Sequence, residues 1–208
     1  MFPLGNVVLP GELLPLNVFE PRYRQLVLDC LAAEVPEFGV VLIERGSEVG
    51  GGDVRTSIGT VARIVRVTPL GDGRFEVVAA GARRANVLEW LADDPYPRGD
   101  VETWPEADPV DEEALRSQIE RLVARVDTAR ALAREVATAN KQRVPLRATP
   151  PPKLSDDLVR AAYQLAARAP IGPADRHRLL AAPTLESRVE LLASALDDAE
   201  AMLRFRLA

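Results

Sequence analysis

The sequence predicts an α+β protein: a β-rich N-terminal domain followed by an all-helical C-terminal one. Three observations predict it. Residues 1–105 hold 12 of the 13 Gly and 8 of the 10 aromatic residues but only 8 Ala; residues 106–208 hold one Gly, two aromatics and 22 Ala. Gly favours turns and is costly inside helices, while Ala is the best helix former, so the break separates a turn-rich half from a helical one. Apolar positions recur at short strand-like intervals before the break. After it they recur as Leu115, Ile119, Leu122, Val126, Ala129, Ala133 and Val136, a heptad seam. The domains are therefore expected at 1–107 and 108–208.

In the first domain, Val7-Val8-Leu9 runs into the turn signal Pro10-Gly11. Leu13 to Phe19 reads as a strand, and Pro15 removes a ladder donor, which places it at an edge or a bulge. Glu20-Pro21 opens a helix, since Pro suits the first helical position. Tyr23, Leu26, Val27, Cys30 and Leu31 form its apolar stripe. Phe38–Ile43 is a continuous apolar run, hence a buried strand. Ile58–Val67 alternates, with Val61, Val65 and Val67 set against Ala62, Ile64 and Arg66. Gly71-Asp72-Gly73 is a hairpin loop leading into Phe75–Ala80. Arg84–Trp90 and Val101–Trp104 complete about six short strands, which with one early helix suggest a barrel-like or sandwich-like sheet. Gly50-Gly51-Gly52 lacks the Gly-Lys-Ser/Thr of a phosphate-binding loop and reads as a surface loop, open to ordering on a partner.

In the second domain, Asp108-Pro109 is a cap and first-position pair, and Asp111, Glu112 and Glu113 put negative charge on a helix start. A helix over about residues 110–139 would be roughly 44 Å long. Pro150-Pro151-Pro152 interrupts the pattern. Ser155 is expected to cap a helix through Ala169, Pro173 to start a short one ending before Pro183, and Thr184 to cap a last one. That last helix turns Leu185, Val189, Leu192, Leu196, Ala199 and Leu203 inward. The heptad seam is expected to pack on this last helix rather than to build a strong coiled-coil dimer, so the chain is expected to be a monomer or a weak dimer.

Composition excludes several chemistries. There are one Cys, one His and two Lys. One Cys cannot form an internal disulfide, and one His rules out a three-His zinc site. Cys30 falls on the apolar stripe and reads as a small buried hydrophobe. His177 lies among charges, on a helix face where it reads as a solvated side chain, and the sequence offers no second His and no Cys partner to orient it as a base. Asp93-Asp94, Asp156-Asp157 and Asp197-Asp198 are adjacent pairs that point apart on a helix. In residues 1–105 the net charge of −5 comes with no tight basic pair beyond Arg83-Arg84, so no nucleic-acid footprint is expected. No apolar run approaches membrane length and the first residues do not form a signal peptide, so a cytoplasmic location is expected. No cofactor and no metal are expected.

Four segments together resemble a known family. Phe2-Pro3-Leu4, Val8-Leu9-Pro10-Gly11, Leu14-Pro15-Leu16 and Phe19-Glu20-Pro21-Arg22-Tyr23 resemble the start of the N-terminal substrate-binding domain of the ATP-dependent protease Lon. Ile58 to Ile64 resembles its central strand. Gly81-Ala82-Arg83-Arg84 sits where the family has Gly and then Arg-Phe, with Ala85 in place of the aromatic. Asp175 to Leu192 is similar to the helical subdomain after the sheet.

The resemblance implies a domain that engages unfolded or tagged proteins. It also implies no ATPase or Ser–Lys protease chemistry in this chain, which contains neither module's motifs. The expected function is non-catalytic binding of unfolded or apolar protein segments. The alternative is an adaptor docking on Lon or another protease through the helical half, and a peptidase or hydrolase is the least favoured reading. Candidate peptide contacts are Leu13, Leu14, Tyr96 and Trp104. Glu20, Pro21, Arg22 and Tyr23 are expected to be structural, as a cap, a salt bridge and a packed ring.

Overall fold

In the computed structural model, residues 1–48, 52–140 and 153–207 are described. The chain divides into two compact units, Met1–Pro105 and Glu106–Ala208. Gly50 and Gly51 of the glycine loop and the Pro150-Pro151-Pro152 stretch lie outside the described residues; Gly52, at the loop's end, is exposed.

Among the described residues, unit 1 contains β1 (Phe2–Leu4), β2 (Leu13–Val18), α1 (Pro21–Ala32), β3 (Glu37–Arg45), β4 (Val54–Pro69), β5 (Phe75–Leu91) and β6 (Arg98–Thr103). They form one mixed sheet in the order β1-β3-β4-β5-β2, with β6 also on β5. β1 runs parallel to β3, and the other pairs are antiparallel. A parallel pair needs a crossover, and β2 with α1 supplies it. The core lies between α1 and the sheet. Phe2 stacks on Tyr23 with ring centroids 4.1 Å apart, and Phe38 lies 6.1 Å from Phe2. Leu26, Val27, Val40, Ala62, Ile64, Val77 and Ala79 close around them.

Several sequence expectations are corrected. Val7-Val8-Leu9 is not a strand, although all three side chains are buried. The first strand is instead Phe2–Leu4, too short to show a period. Leu31, expected on the inner stripe of α1, is 48% exposed. In β4 it is Ala62 and Ile64 that face the core. A register shift between Ile64 and Arg66 inserts Val65 as an extra, exposed residue, and so returns Val67 to the core side. Phe75–Ala80 and Arg84–Trp90 are not two strands but parts of β5.

Gly81, inside β5 between the two expected strands, is a point of close approach. Its carbonyl accepts from Gly11 N–H at 2.8 Å, and its own N–H donates to Glu12 O at 2.9 Å. A Cβ there would collide with the Leu9 carbonyl. Gly73, in the β4–β5 turn, has φ +80°, the left-handed region where Gly avoids steric cost.

Unit 2 contains α2 (Glu112–Ala139), α3 (Leu158–Arg168), α4 (Pro173–Leu180) and α5 (Leu185–Leu207). α2 is about 42 Å long at 1.5 Å per residue. The cap of α2 is Asp111, whose carboxylate accepts from Ala114 N–H at 2.9 Å, and not Asp108. The cap of α3 is Asp157, accepting from Arg160 N–H at 2.9 Å, and not Ser155. In both cases the acid nearer the first apolar turn wins, because only its oxygen reaches the third amide of the helix. Thr184 Oγ1 accepts from Ser187 N–H at 3.2 Å at the start of α5. Leu115, Ile119, Leu122, Val126, Ala129 and Val136 are buried, and α2 packs against α5 and α3. Arg125 ties α2 to Asp197 of α5 at 2.5 Å.

Candidate functional site

β2 is the last strand of the sheet and pairs only with β5 among the described residues. Its side chains alternate. Leu14 and Leu16 turn inward and pack against the core, while Leu13, Pro15 and Asn17 are exposed. Pro15 costs little here, since an end strand needs only one ladder. The residues opposite Leu13 and Pro15 on β5 are Ala80 and Val78, so the outer surface is apolar at that end of the edge, while Asn17 faces Glu76 at the other. Leu13 is 67% exposed and Phe19, just past the strand, 53%. An end strand bearing exposed apolar side chains can take up an additional extended segment through its unpaired main-chain groups.

The four candidate contact residues do not form one surface. Leu13 is on the outer side and Leu14 is inward. Tyr96 packs against the core, and its hydroxyl donates to Asp29 Oδ2 at 2.7 Å. Burial and that hydrogen bond push the Tyr96 phenol up to about 12. The same bond, with one from Gln25, holds the Asp29 carboxyl below its usual range. Trp104 is half-buried, with the Arg84 guanidinium 4.7 Å from its ring centre. Tyr96 and Trp104 are thus engaged in the protein's own structure. Sequence reasoning missed Phe19, and also Leu88 and Val101, which are exposed on β5 and β6. Phe19 was legible as the next outward position after Leu13, Pro15 and Asn17. Leu88 was not, because it sits at a register shift between Val87 and Glu89.

The Phe-Glu-Pro-Arg-Tyr segment is built into the fold. Glu20 occupies the cap position of α1, but its side chain makes no cap bond. It pairs instead with Arg22 at 3.0 Å. Pro21 starts the helix, and Arg22 lies 4.5 Å over the Tyr23 ring. Burial pushes the Tyr23 phenol up to about 12. Nearby, Arg55 bridges Asp53 at 2.6 Å and Asp93 at 3.2 Å, with Trp90 5.0 Å beneath its guanidinium. Cys30 is buried, its thiol donating to Glu37 O at 3.2 Å, and burial pushes that thiol up. Such a thiol is a poor nucleophile. His177 is half-buried on α4.

Glu37 and Asp53, like Asp29, are carboxyls of unit 1 held below their usual range, which predicts acid sensitivity. Glu37 joins three strands by accepting from Arg83 and Arg63, each at 2.8 Å. The Arg83 hydrogen bond outweighs burial and, with Arg63, holds the Glu37 carboxyl below its usual range. Burial raises Asp53, but the Arg55 bond, its own backbone bond and the charges of Arg55 and Arg22 outweigh it, so Asp53 is also depressed. Depressed carboxyls stabilise the fold fully above their unfolded pKa, and the contribution is lost as pH falls through the folded values. Urea midpoints of unit 1 should therefore fall as pH drops through and below the ordinary carboxylate range. Glu37→Gln should lower the neutral-pH midpoint and flatten that dependence.

Comparison with known proteins decides the family. The family model for the ATP-dependent protease La (LON) substrate-binding domain matches residues 1–198. The chain belongs to the Lon substrate-binding domain family. Lon protease 2 of Sorangium cellulosum is 37% identical over 110 residues, covering 51% of this chain and 14% of its own. Lon protease 1 of Herpetosiphon aurantiacus is 26% identical over 196 residues, covering 89% of this chain and 22% of its own. The chain thus spans 14% and 22% of the length of these two Lon proteases. A Lon N-terminal domain protein from Xanthomonas campestris has a similar structure, with a TM-score of 0.61 and 26% identity over 93% of this chain and 95% of that one. The N-terminal domain of Mycobacterium avium complex Lon protease shares the fold, with a TM-score of 0.62 and 22% identity, covering 94% of this chain and 97% of that one. The Lon-type match is to the substrate-binding domain. No helix among the described residues is long and apolar enough to cross a membrane.

Proposed function

We infer that this Lon-type domain is a non-catalytic binding module for unfolded or apolar protein segments, with the free edge of β2 as its contact strand. The observation that carries the reading is the end position of β2 together with the exposure of Leu13. The family supports protein partners in general. An extended segment added at this edge gains main-chain hydrogen bonds whatever its sequence, and Leu13 and Phe19 favour apolar residues in it. That combination suits loosely specific recognition. The apolar seam of α2 is buried against α5 and α3, which leaves the charged flanks of α2 for any adaptor-type docking on a protease.

Titration of a fluorescently labelled, casein-type unfolded protein with the full chain, read by anisotropy, tests the reading. Saturable binding in the micromolar range is expected, and Leu13→Asp should weaken it at least several-fold. Absence of binding at tens of micromolar contradicts it.

A further inference from the structure

The place of Pro15 in its ladder decides what the free edge of β2 can pair with. The Gly81 N–H donates to the Glu12 carbonyl at 2.9 Å, so that carbonyl faces β5. Glu12 and Gly81 continue the unbroken register that runs from Leu13↔Ala80 to Val18↔Phe75. In an antiparallel pair, bonded and non-bonded positions alternate. Leu14, Leu16 and Val18 therefore direct their main-chain groups to β5, and Leu13, Pro15 and Asn17 direct theirs to the free side. The other side of β5 agrees. The Leu70 N–H donates to the Arg74 carbonyl at 2.8 Å, so Arg74 faces β4. By the same alternation Glu76, Val78 and Ala80, the partners of Asn17, Pro15 and Leu13, also face β4.

The free side of β2 accordingly offers the carbonyls of Leu13, Pro15 and Asn17, but the N–H groups of Leu13 and Asn17 only, because proline has none. Edges are ordinarily guarded by charged side chains, bulges or proline. Residues 13–18 contain no charged side chain, and their register with β5 has no bulge. Pro15 is the one such device in the strand.

The effect of the missing donor depends on the partner. Two copies joining edge to edge about a two-fold axis repeat every defect twice. In the centred antiparallel register, Pro15 meets Pro15 of the other copy, and two carbonyls face each other with no donor between them. Shifted by two residues either way, each Pro15 meets Leu13 or Asn17 of the other copy, and two carbonyls again lack donors. A foreign extended segment meets Pro15 once, loses one bond and keeps the others.

We propose that Pro15 is the specificity residue of this edge: it bars β2-to-β2 pairing between copies of this chain and leaves the edge to an extended segment of another protein. The proposal rests on the reading of β2 as the contact strand. The segment it suits supplies an N–H opposite the Pro15 carbonyl. A proline at that place would leave the position without any main-chain bond.

Sedimentation of the full chain without any client, wild type against Pro15→Val, tests this. Pro15→Val restores the N–H in a residue that favours strands. It should self-associate at least about ten-fold more tightly than the wild type, because each two-fold contact regains two donors. Amide exchange of residues 13–18 should slow as the concentration of the variant rises, and stay constant in the wild type. If Pro15→Val alters the far-UV or tryptophan spectra, Pro15→Ala carries the same arm with a smaller gain. A variant that associates no more tightly than the wild type would overturn the proposal. So would association that leaves residues 13–18 unprotected, or wild-type copies that already protect them. Failure of the casein-type protein to bind is a separate result: it removes the contact-strand reading itself, whereas unchanged self-association of the variants removes the role of Pro15 and leaves that reading standing.

Discussion

Glu106→Ala is expected to destabilise unit 2 by about 3–5 kcal/mol, because it leaves the Arg188 guanidinium buried without its counter-charge. Arg188 is 0% exposed, and Glu106 supplies its carboxylate counter-charge at 2.9 Å. The Tyr163 hydroxyl loses an acceptor in the same step. Arg188→Met should cost clearly less. It removes the buried charge itself, and the Glu106 side chain, 25% exposed, regains water as a partner. The double variant Glu106→Ala with Arg188→Met should then be more stable than Glu106→Ala alone. Urea unfolding followed by far-UV ellipticity, which is dominated by the helices, measures all three. Equal losses for the two single variants would sink the account of this pair as a buried ion pair with one dry partner.

Tyr23→Ala should destabilise unit 1 by a similar amount, about 3–5 kcal/mol, the usual cost of deleting a large buried aromatic ring. The ring stacks on Phe2 at 4.1 Å, and its removal opens a space between α1 and the sheet that neither element can close alone. A domain stable by about 5–15 kcal/mol would lose a large part of its margin. Tyr23→Phe separates ring from hydroxyl and is expected to cost under about 1 kcal/mol. The intrinsic fluorescence of Trp90 and Trp104, both in unit 1, follows this transition without interference from unit 2. A loss under about 1 kcal/mol for Tyr23→Ala would contradict the placement of this motif residue in the core.

The helical half was legible because its signals repeat. The seam from Leu115 to Val136 spans many turns, so errors at either end do not disturb the period. What failed there was the choice among nearby cap residues, Asp108 against Asp111 and Ser155 against Asp157, where local geometry decides. The sheet was legible in class but not in detail. Gly81 and Val65 explain why: one is a glycine that keeps a strand continuous by admitting the Leu9 carbonyl, the other an extra residue that shifts the face pattern. Both depend on a neighbouring strand that a single stretch of sequence does not display. At the candidate site, Pro15 marked the edge strand correctly, since only an end strand tolerates it well. Tyr96 and Trp104 were drawn in for being aromatic near loops, and their engagement by Asp29 and Arg84 could not be read locally. The buried roles of Arg84 and Arg188 were invisible in sequence, since exposed arginine is the ordinary expectation.

The claim at the centre is that β2 is the strand an incoming polypeptide joins. Amide hydrogen exchange of the full chain, with and without a saturating unfolded protein, tests it most directly. The prediction is slower exchange on binding in peptides covering residues 13–18, with α1 and unit 2 unchanged. Binding that leaves residues 13–18 unaffected and slows exchange elsewhere would contradict the account.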